Sequence, residues 1–251
     1  MRRIFIIFLA IALGVLWLSQ NSYASDPAQG VSIKSEETET VEEGGVTPIS
    51  DPLQKYNRAF FKFNDKLYFW ALKPVARGYG KVVPRRARLS VQNFFENVYA
   101  PVRIINCSLQ CEFKEASIEL SRFGVNTTLG VAGLFDPAKN WLHLSPPDKE
   151  DTGQTLGFYS QGSGFYLNLP FAGSTSFRDG IGSLIDMCIV PSIYVLINYS
   201  SYYITAAKIF EAINRTSLHL GEYEELKRAA LDPYLAVRDA YNQHREDLIK
   251  R

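Results

Sequence analysis

The sequence is short of the residues on which metal and redox chemistry depend. Its 251 residues include three cysteines, Cys107, Cys111 and Cys188, and three histidines, His143, His219 and His244. The histidines stand apart from one another and from the cysteines, so no metal site and no cofactor is expected. Excess charge is lacking too: the formal net charge is +1, and losing Arg2 and Arg3 with a cleaved leader would make it −1. A balance this even argues against a nucleic-acid surface. Beyond the N-terminus, long uninterrupted apolar runs are missing. The most apolar stretch, 181–199, carries Asp186 and Pro191. A spanning helix would have to bury that carboxylate in lipid at high cost. Two shorter helices meeting near Pro191, able to lie in one leaflet, are expected instead.

Residues 1–24 have the three parts of a secretory signal: Arg2-Arg3, an apolar run at 4–18, and small residues at Ser22 and Ala24. The run is short for a membrane anchor, so cleavage after Ala24 and export are expected. No cysteine precedes Cys107 to carry the lipid of a bacterial lipoprotein. Residues 25–50 place Glu36, Glu37, Glu39, Glu42 and Glu43 among Ser, Thr, Gly and Pro, and read as a disordered acidic linker. Residues 51–251 are long enough to form a core of their own.

The most distinctive segment is 122–137, Arg-Phe-Gly-Val-Asn-Thr-Thr-Leu-Gly-Val-Ala-Gly-Leu-Phe-Asp-Pro. It is too short to span a membrane. Gly124, Gly130 and Gly133 each cost about 1 kcal/mol inside a helix, which points to a bend, a hinge or a close backbone approach. Asp136-Pro137 then stops the segment and restarts the chain as helix. Two readings are open: a mobile apolar hairpin that touches lipid, or a buried turn between core helices.

The flanking sequence has helical periodicity. Asp51-Pro52 is expected to open a helix in which Tyr56, Phe60, Phe63, Leu67 and Trp70 form one stripe and Phe61, Tyr68 and Phe69 a second apolar surface. That arc suits a membrane interface or a crowded core. After an expected turn at Gly78-Tyr79-Gly80, stripes recur at Ala87, Val91, Phe94 and Val98, at Val102, Ile105 and Leu109, and at Phe113, Ala116, Leu120 and Phe123, with breaks expected at 97–101 and near Gln110-Cys111. Cys107 and Cys111 flank the second break. A disulfide there in an oxidising compartment is left open, with Cys188 as a remaining buried thiol.

Residues 151–179 are glycine-rich loop with short extended pieces. Around Ser160 the spacing Gly157-Phe-Tyr-Ser-Gln-Gly162 misses a nucleophile elbow by one residue, and no strand pattern precedes it. Residues 204–220 and 226–231 read as amphipathic helix. Asp232-Pro233 opens a last helix with Tyr234, Val237, Tyr241 and Leu248 on one face and Arg238, Asp239, Arg245 and Glu246 on the other.

Four groups of residues together resemble the MlaA (VacJ) family of phospholipid-transport proteins. They are Asp51-Pro52-Leu53 with Tyr56-Asn57-Arg58 and Phe63-Asn64; Phe123 with Asn126-Thr127, Leu129-Gly130, Gly133, Phe135 and Asp136; Gly153, Thr155, Leu156 and Gly157 with Gly162, Gly164, Tyr166, Leu169-Pro170 and Arg178-Asp179; and Asp232-Pro233-Tyr234 with Arg238 and Tyr241. They run in order through 51–248.

The resemblance implies a mostly α ring of amphipathic helices with a glycine-rich loop region. The ring would be embedded in the inner leaflet of a Gram-negative outer membrane, around a polar channel. It also implies a non-enzymatic role: collecting phospholipids misplaced in the outer leaflet and passing them to a periplasmic carrier, in complex with trimeric porins. Leu129, Gly130, Val131, Gly133, Leu134 and Phe135 would form the hairpin at the channel. Phe60, Phe63 and Asn64 would lie on the helix that sets its open or closed state. Two other readings stand beside it, a periplasmic lipid-modifying hydrolase using Ser160 and His143, and a structural outer-membrane protein without transport.

Overall fold

The computed structural model describes residues 49–195 and 201–250. The expected signal segment, nearly all of the expected linker and the end of the apolar stretch at 196–200 lie outside them.

The first helix begins later than Asp51-Pro52 suggested. α1 (Gln54–Leu67) continues through a π-helical turn, Tyr68–Leu72, into α2 (Lys73–Val82). Asp51 does not cap α1. It accepts from Asn57 Nδ2 at 2.8 Å and from the Tyr234 hydroxyl, tying the chain's entry to its last helix. Gly78 and Gly80 make no turn, being interior to α2.

α3 (Arg85–Leu109) runs for 25 residues straight through Pro101, where a break was expected. Proline inside a helix costs about 3 kcal/mol. Burial of Tyr99, Ala100, Val102 and Arg103 around it offsets that cost. The second expected break is present at Gln110-Cys111, with Cys111 at φ 64°. α4 (Phe113–Thr128) follows and packs along α3. Gly124 lies within α4 facing open space and makes no bend.

The glycine-rich region supplies α5 (Pro137–Asn140), α6 (Thr152–Phe158) and an antiparallel hairpin of β1 (Tyr166–Leu169) and β2 (Gly173–Ser176), in register Tyr166 to Ser176 and Leu169 to Gly173. α7 (Phe177–Val195) is one helix through Pro191, in place of the two shorter helices expected to meet there. α8 (Ser201–Leu218), α9 (Glu222–Ala229) and α10 (Pro233–Ile249) complete the chain. Asp232 caps α10 by accepting from the Tyr234 and Leu235 amides, with Pro233 in the first turn.

The packed pairs close into a circuit. α1 lies on β1 and β2, β2 on α10, α10 on α6, α6 on α7, α7 on α3, α3 on α8, α8 on α2, and α2 returns through the π turn to α1. A mostly helical ring is therefore what these elements build.

Within this ring charged and polar side chains are buried beside two small clusters of buried apolar residues, one around Tyr166, Tyr234 and Tyr241 and one around Phe95, Tyr99 and Val102, while many large apolar side chains face outward. The expected stripe on α1 faces outward: Tyr56 is 68% and Trp70 87% exposed, with Phe60 and Phe63 exposed between them. The same helix turns Asn57, 2% exposed, to the interior. Leu109, Phe113, Leu120, Trp141, Leu184 and Ile185 are also exposed, while Glu119, Asn106, Asp179, Asp186, Glu211 and Arg245 are buried. Arg245, placed on the wet face of α10 by its periodicity, is 4% exposed. No helix among the described residues is long and apolar enough to cross a membrane.

The cysteines are thiols, and the bridge left open between Cys107 and Cys111 is not formed. Cys107 points into the interior from the last turns of α3. By Cys111 the chain has left the helix and the side chain is exposed. Cys188, expected to be buried, is exposed.

Candidate functional site

The loop between α4 and α5 has an apolar tip on a polar base. Leu129, Val131 and Phe135 are each about 60% exposed, at 61%, 58% and 60%, whereas Gly130 and Gly133 are buried. Neither open reading fits whole: the side chains face outward, but the glycines are enclosed. Val131 and Ala132 both adopt left-handed backbone, at φ 55° and 56°, and Gly133 follows at φ 91°. A Cβ on Gly133 would lie 2.4 Å from the Asn97 Cβ, and one on Gly130 2.5 Å from the carbonyl oxygens of Asn126 and Phe135. Close approach is thus what both glycines provide.

Hydrogen bonds fasten the base. Asp136 accepts from Arg122 Nη2 and Asn126 Nδ2, both at 2.9 Å, and from the Lys139 amide at 3.1 Å as the cap of α5. Asn97 Nδ2 donates to Thr127 Oγ1 at 2.8 Å, and the Gly133 amide to Asn126 O at 2.8 Å. Burial works against ionisation of Asp136. The hydrogen bonds from Arg122, Lys139 and Asn126 outweigh it and hold the carboxyl below its ordinary range. The tip is apolar surface held in place by a charged clamp.

A second feature is a partly open cavity of about 50 Å³ in the polar interior, lined mainly from α3, the segment before α6, α6, α7 and α10. Gly153 and Gly182 let α6 and α7 meet backbone to backbone, for a Cβ on Gly182 would fall 2.3 Å from the Gly153 amide nitrogen. That contact brings Asp179 to Arg245, whose Nε donates to it at 2.9 Å while Nη1 and Nη2 hold Asp151 at 2.7 and 2.9 Å. Asp186 accepts from the Thr152 amide at 3.2 Å and from its hydroxyl. Burial, reinforced by the Asp151 charge, pushes Asp186 up to about 6. Farther round, Arg103 pairs with Glu119 at 3.0 Å and the Tyr99 hydroxyl donates to Glu211 at 3.1 Å.

α1 is fastened to the β-hairpin by two asparagines. Asn57 Nδ2 donates to Tyr166 O at 3.0 Å and its Oδ1 accepts from the Asn168 amide at 2.9 Å. Seven residues on, Asn64 Nδ2 donates to Leu169 O and its Oδ1 accepts from the Phe171 amide, each at 2.8 Å. Phe63 meets Phe171 edge to face, with ring centres 5.2 Å apart.

This arrangement of helices, loop and cavity has counterparts among known proteins. The family described as "MlaA lipoprotein" matches residues 49–248. The chain belongs to the MlaA family. The Escherichia coli (strain K12) "Intermembrane phospholipid transport system lipoprotein MlaA" is 34% identical over 207 residues, 80% of this chain and 78% of that protein. An uncharacterised protein of Rickettsia prowazekii is 34% identical over 205 residues, 81% of this chain and 80% of its own length. A solved structure reported as "Structural basis for maintenance of bacterial outer membrane lipid asymmetry" superposes with a TM-score of 0.69 at 34% identity. It covers 80% of this chain and 99% of the solved one.

This MlaA-family ring gathers the motif residues unequally. Leu129, Gly130, Val131, Gly133, Leu134 and Phe135 form one loop, while Phe60, Phe63 and Asn64 stand on α1 beside the β-hairpin. Ser160 and His143, the residues of the hydrolase reading, are both exposed, and no hydrogen bond joins them. The interior charges at Glu150, Asp151, Asp186 and Arg245 escaped the sequence reading as a group. Each sits in a segment that reads as loop, apolar helix or wet helix face, and Asp186 alone, ionisable in an apolar stretch, stood out.

Proposed function

We propose that this protein is a non-enzymatic phospholipid conduit, lying in the periplasmic leaflet of the outer membrane and removing mislocalised phospholipids from the outer leaflet. The observation that carries this reading is the burial of charged side chains within the ring together with large apolar side chains exposed on it. An apolar rim of Trp70, Phe113, Leu120 and Leu184 suits acyl chains, and a charged interior suits headgroups. The periplasmic lipid carrier and trimeric porin implied by the resemblance are its partners, and the tip of Leu129, Val131 and Phe135 is the lipid-contacting element. α1, through Phe60, Phe63 and Asn64, sets the state of the channel.

The test is complementation of a Gram-negative strain lacking its own MlaA protein, reading outer-leaflet phospholipid beside protein level. The wild-type chain restores asymmetry. Val131→Asp with Phe135→Asp leaves phospholipid in the outer leaflet at normal protein level, and Ser160→Ala behaves as wild type. Loss of function with Ser160→Ala, or full function with the charged tip, would refute the proposal.

A further inference from the structure

The cavity wall is short of hydrogen-bond donors at one place. Gln154 is 2% exposed, and its Oε1 is buried without a partner. The amide orientation is fixed, because Nε2 donates to Lys149 O at 2.7 Å, a position only a donor can fill. Glu150, four residues earlier in the segment before α6, lines the same cavity and is 8% exposed. Its Oε2 accepts from Gln110 Nε2 at 2.7 Å, and among the described residues no ion pair joins it, although the Arg245 charge acts on it. Neighbouring carboxylates are provided for, Asp151 and Asp179 by Arg245 and Asp186 by Thr152 and Asn106. A buried acceptor left unsatisfied is costly, and so is a buried carboxylate without a cation.

The geometry points to Glu150 and Gln154 as the seat of a primary ammonium, the amine of an ethanolamine-type headgroup, entering the interior of the conduit. The inference rests on the conduit reading and names the lipid class it favours. An ammonium carries separate hydrogens for separate acceptors and charge for the carboxylate. The described residues contain no group of His, Cys, Asp and Glu able to hold a metal ion, so an N–H cation suits the wall better than an inorganic one. Arg103 and Lys149 line the same cavity, so a phosphate attached to such an amine would meet cations within it.

The experiment extracts the full chain from membranes into nanodiscs of equal phosphatidylethanolamine and phosphatidylglycerol and identifies bound lipid by native mass spectrometry. Free ethanolamine and free phosphoethanolamine are tested separately as competitors and for shifts in melting temperature. Charge-assisted hydrogen bonds correspond to roughly tenfold or more in affinity, so the wild type should be enriched about tenfold in phosphatidylethanolamine. Glu150→Gln and Gln154→Met should each remove the enrichment while total bound lipid holds. Equal binding of the two lipids by wild type would overturn the inference and leave the conduit standing, whereas no bound lipid would overturn the conduit itself. A response to free amines without lipid enrichment would overturn the headgroup assignment. Enrichment that survives both substitutions would overturn the assignment of the amine to Glu150 and Gln154.

Discussion

Replacing Arg245 by methionine tests whether the ring is held together by interior charge. The guanidinium is 4% exposed and makes three of the hydrogen bonds that join α10 to α6 and α7, one to Asp179 at 2.9 Å and two to Asp151 at 2.7 and 2.9 Å. Methionine fills similar space but leaves Asp179, 5% exposed, with Arg178 as its one remaining ion-pair partner among the described residues. Breaking a buried pair from one side costs about 3–5 kcal/mol, a large part of the roughly 5–15 kcal/mol that stabilises a domain.

The pH dependence should change with it. Burial alone would raise the Asp179 pKa, but the charges of Arg245 and Arg178 reverse this and hold it far below the ordinary range. A depressed acid contributes stability above its unfolded pKa, about 4, and loses it as pH falls toward the folded value. Wild type should therefore lose stability in acid below about pH 4, and Arg245→Met should show less of that loss. Denaturation in detergent, followed by tryptophan fluorescence across pH, reads both effects. Adding Asp179→Asn should recover part of the loss. A single variant destabilised by less than about 1 kcal/mol, or with an unchanged acid limb, would refute the reasoning.

Three further outcomes are expected. Gly133→Ala should lower protein abundance and stability by about 1–3 kcal/mol, because φ 91° and the 2.4 Å approach to Asn97 both oppose a Cβ; normal abundance would mean that the hairpin shifts to accept it. Alkylation without reductant should label Cys111 and spare Cys107, which is enclosed and whose thiol is pushed up to about 12 mainly by burial, whereas a bridged pair would protect both. Melting temperature should fall from pH 5 to pH 8. Burial raises Glu150 and Glu211 to about 7 and Asp186 to about 6, so their protonated forms favour folding and that advantage is lost as pH rises through 6 to 7. Lys208, lowered to about 8 by burial, acts in the opposite sense only above that pH. A melting temperature that rises over the interval would refute this assignment.

What the sequence determined by itself was local. Helical periodicity showed amphipathic helices, Asp232-Pro233 marked the start of α10, and motifs in fixed order pointed to the family. Proline and glycine were read less well, because their cost is local while the compensation comes from packing. α3 and α7 run through Pro101 and Pro191, and α2 through Gly78 and Gly80. Only the tertiary structure decided which face of each helix looks inward. Periodicity separates the Tyr56, Phe60 and Phe63 face of α1 from the Asn57 and Asn64 face, but it carries no sign. The asparagines turn inward because the β1 backbone and the turn after it offer them partners more than a hundred residues away. Arg245 looks solvated on its own helix for the same reason. Its partners Asp151 and Asp179 reach it only because two glycines let α6 and α7 touch, and no local pattern encodes a contact between segments that far apart.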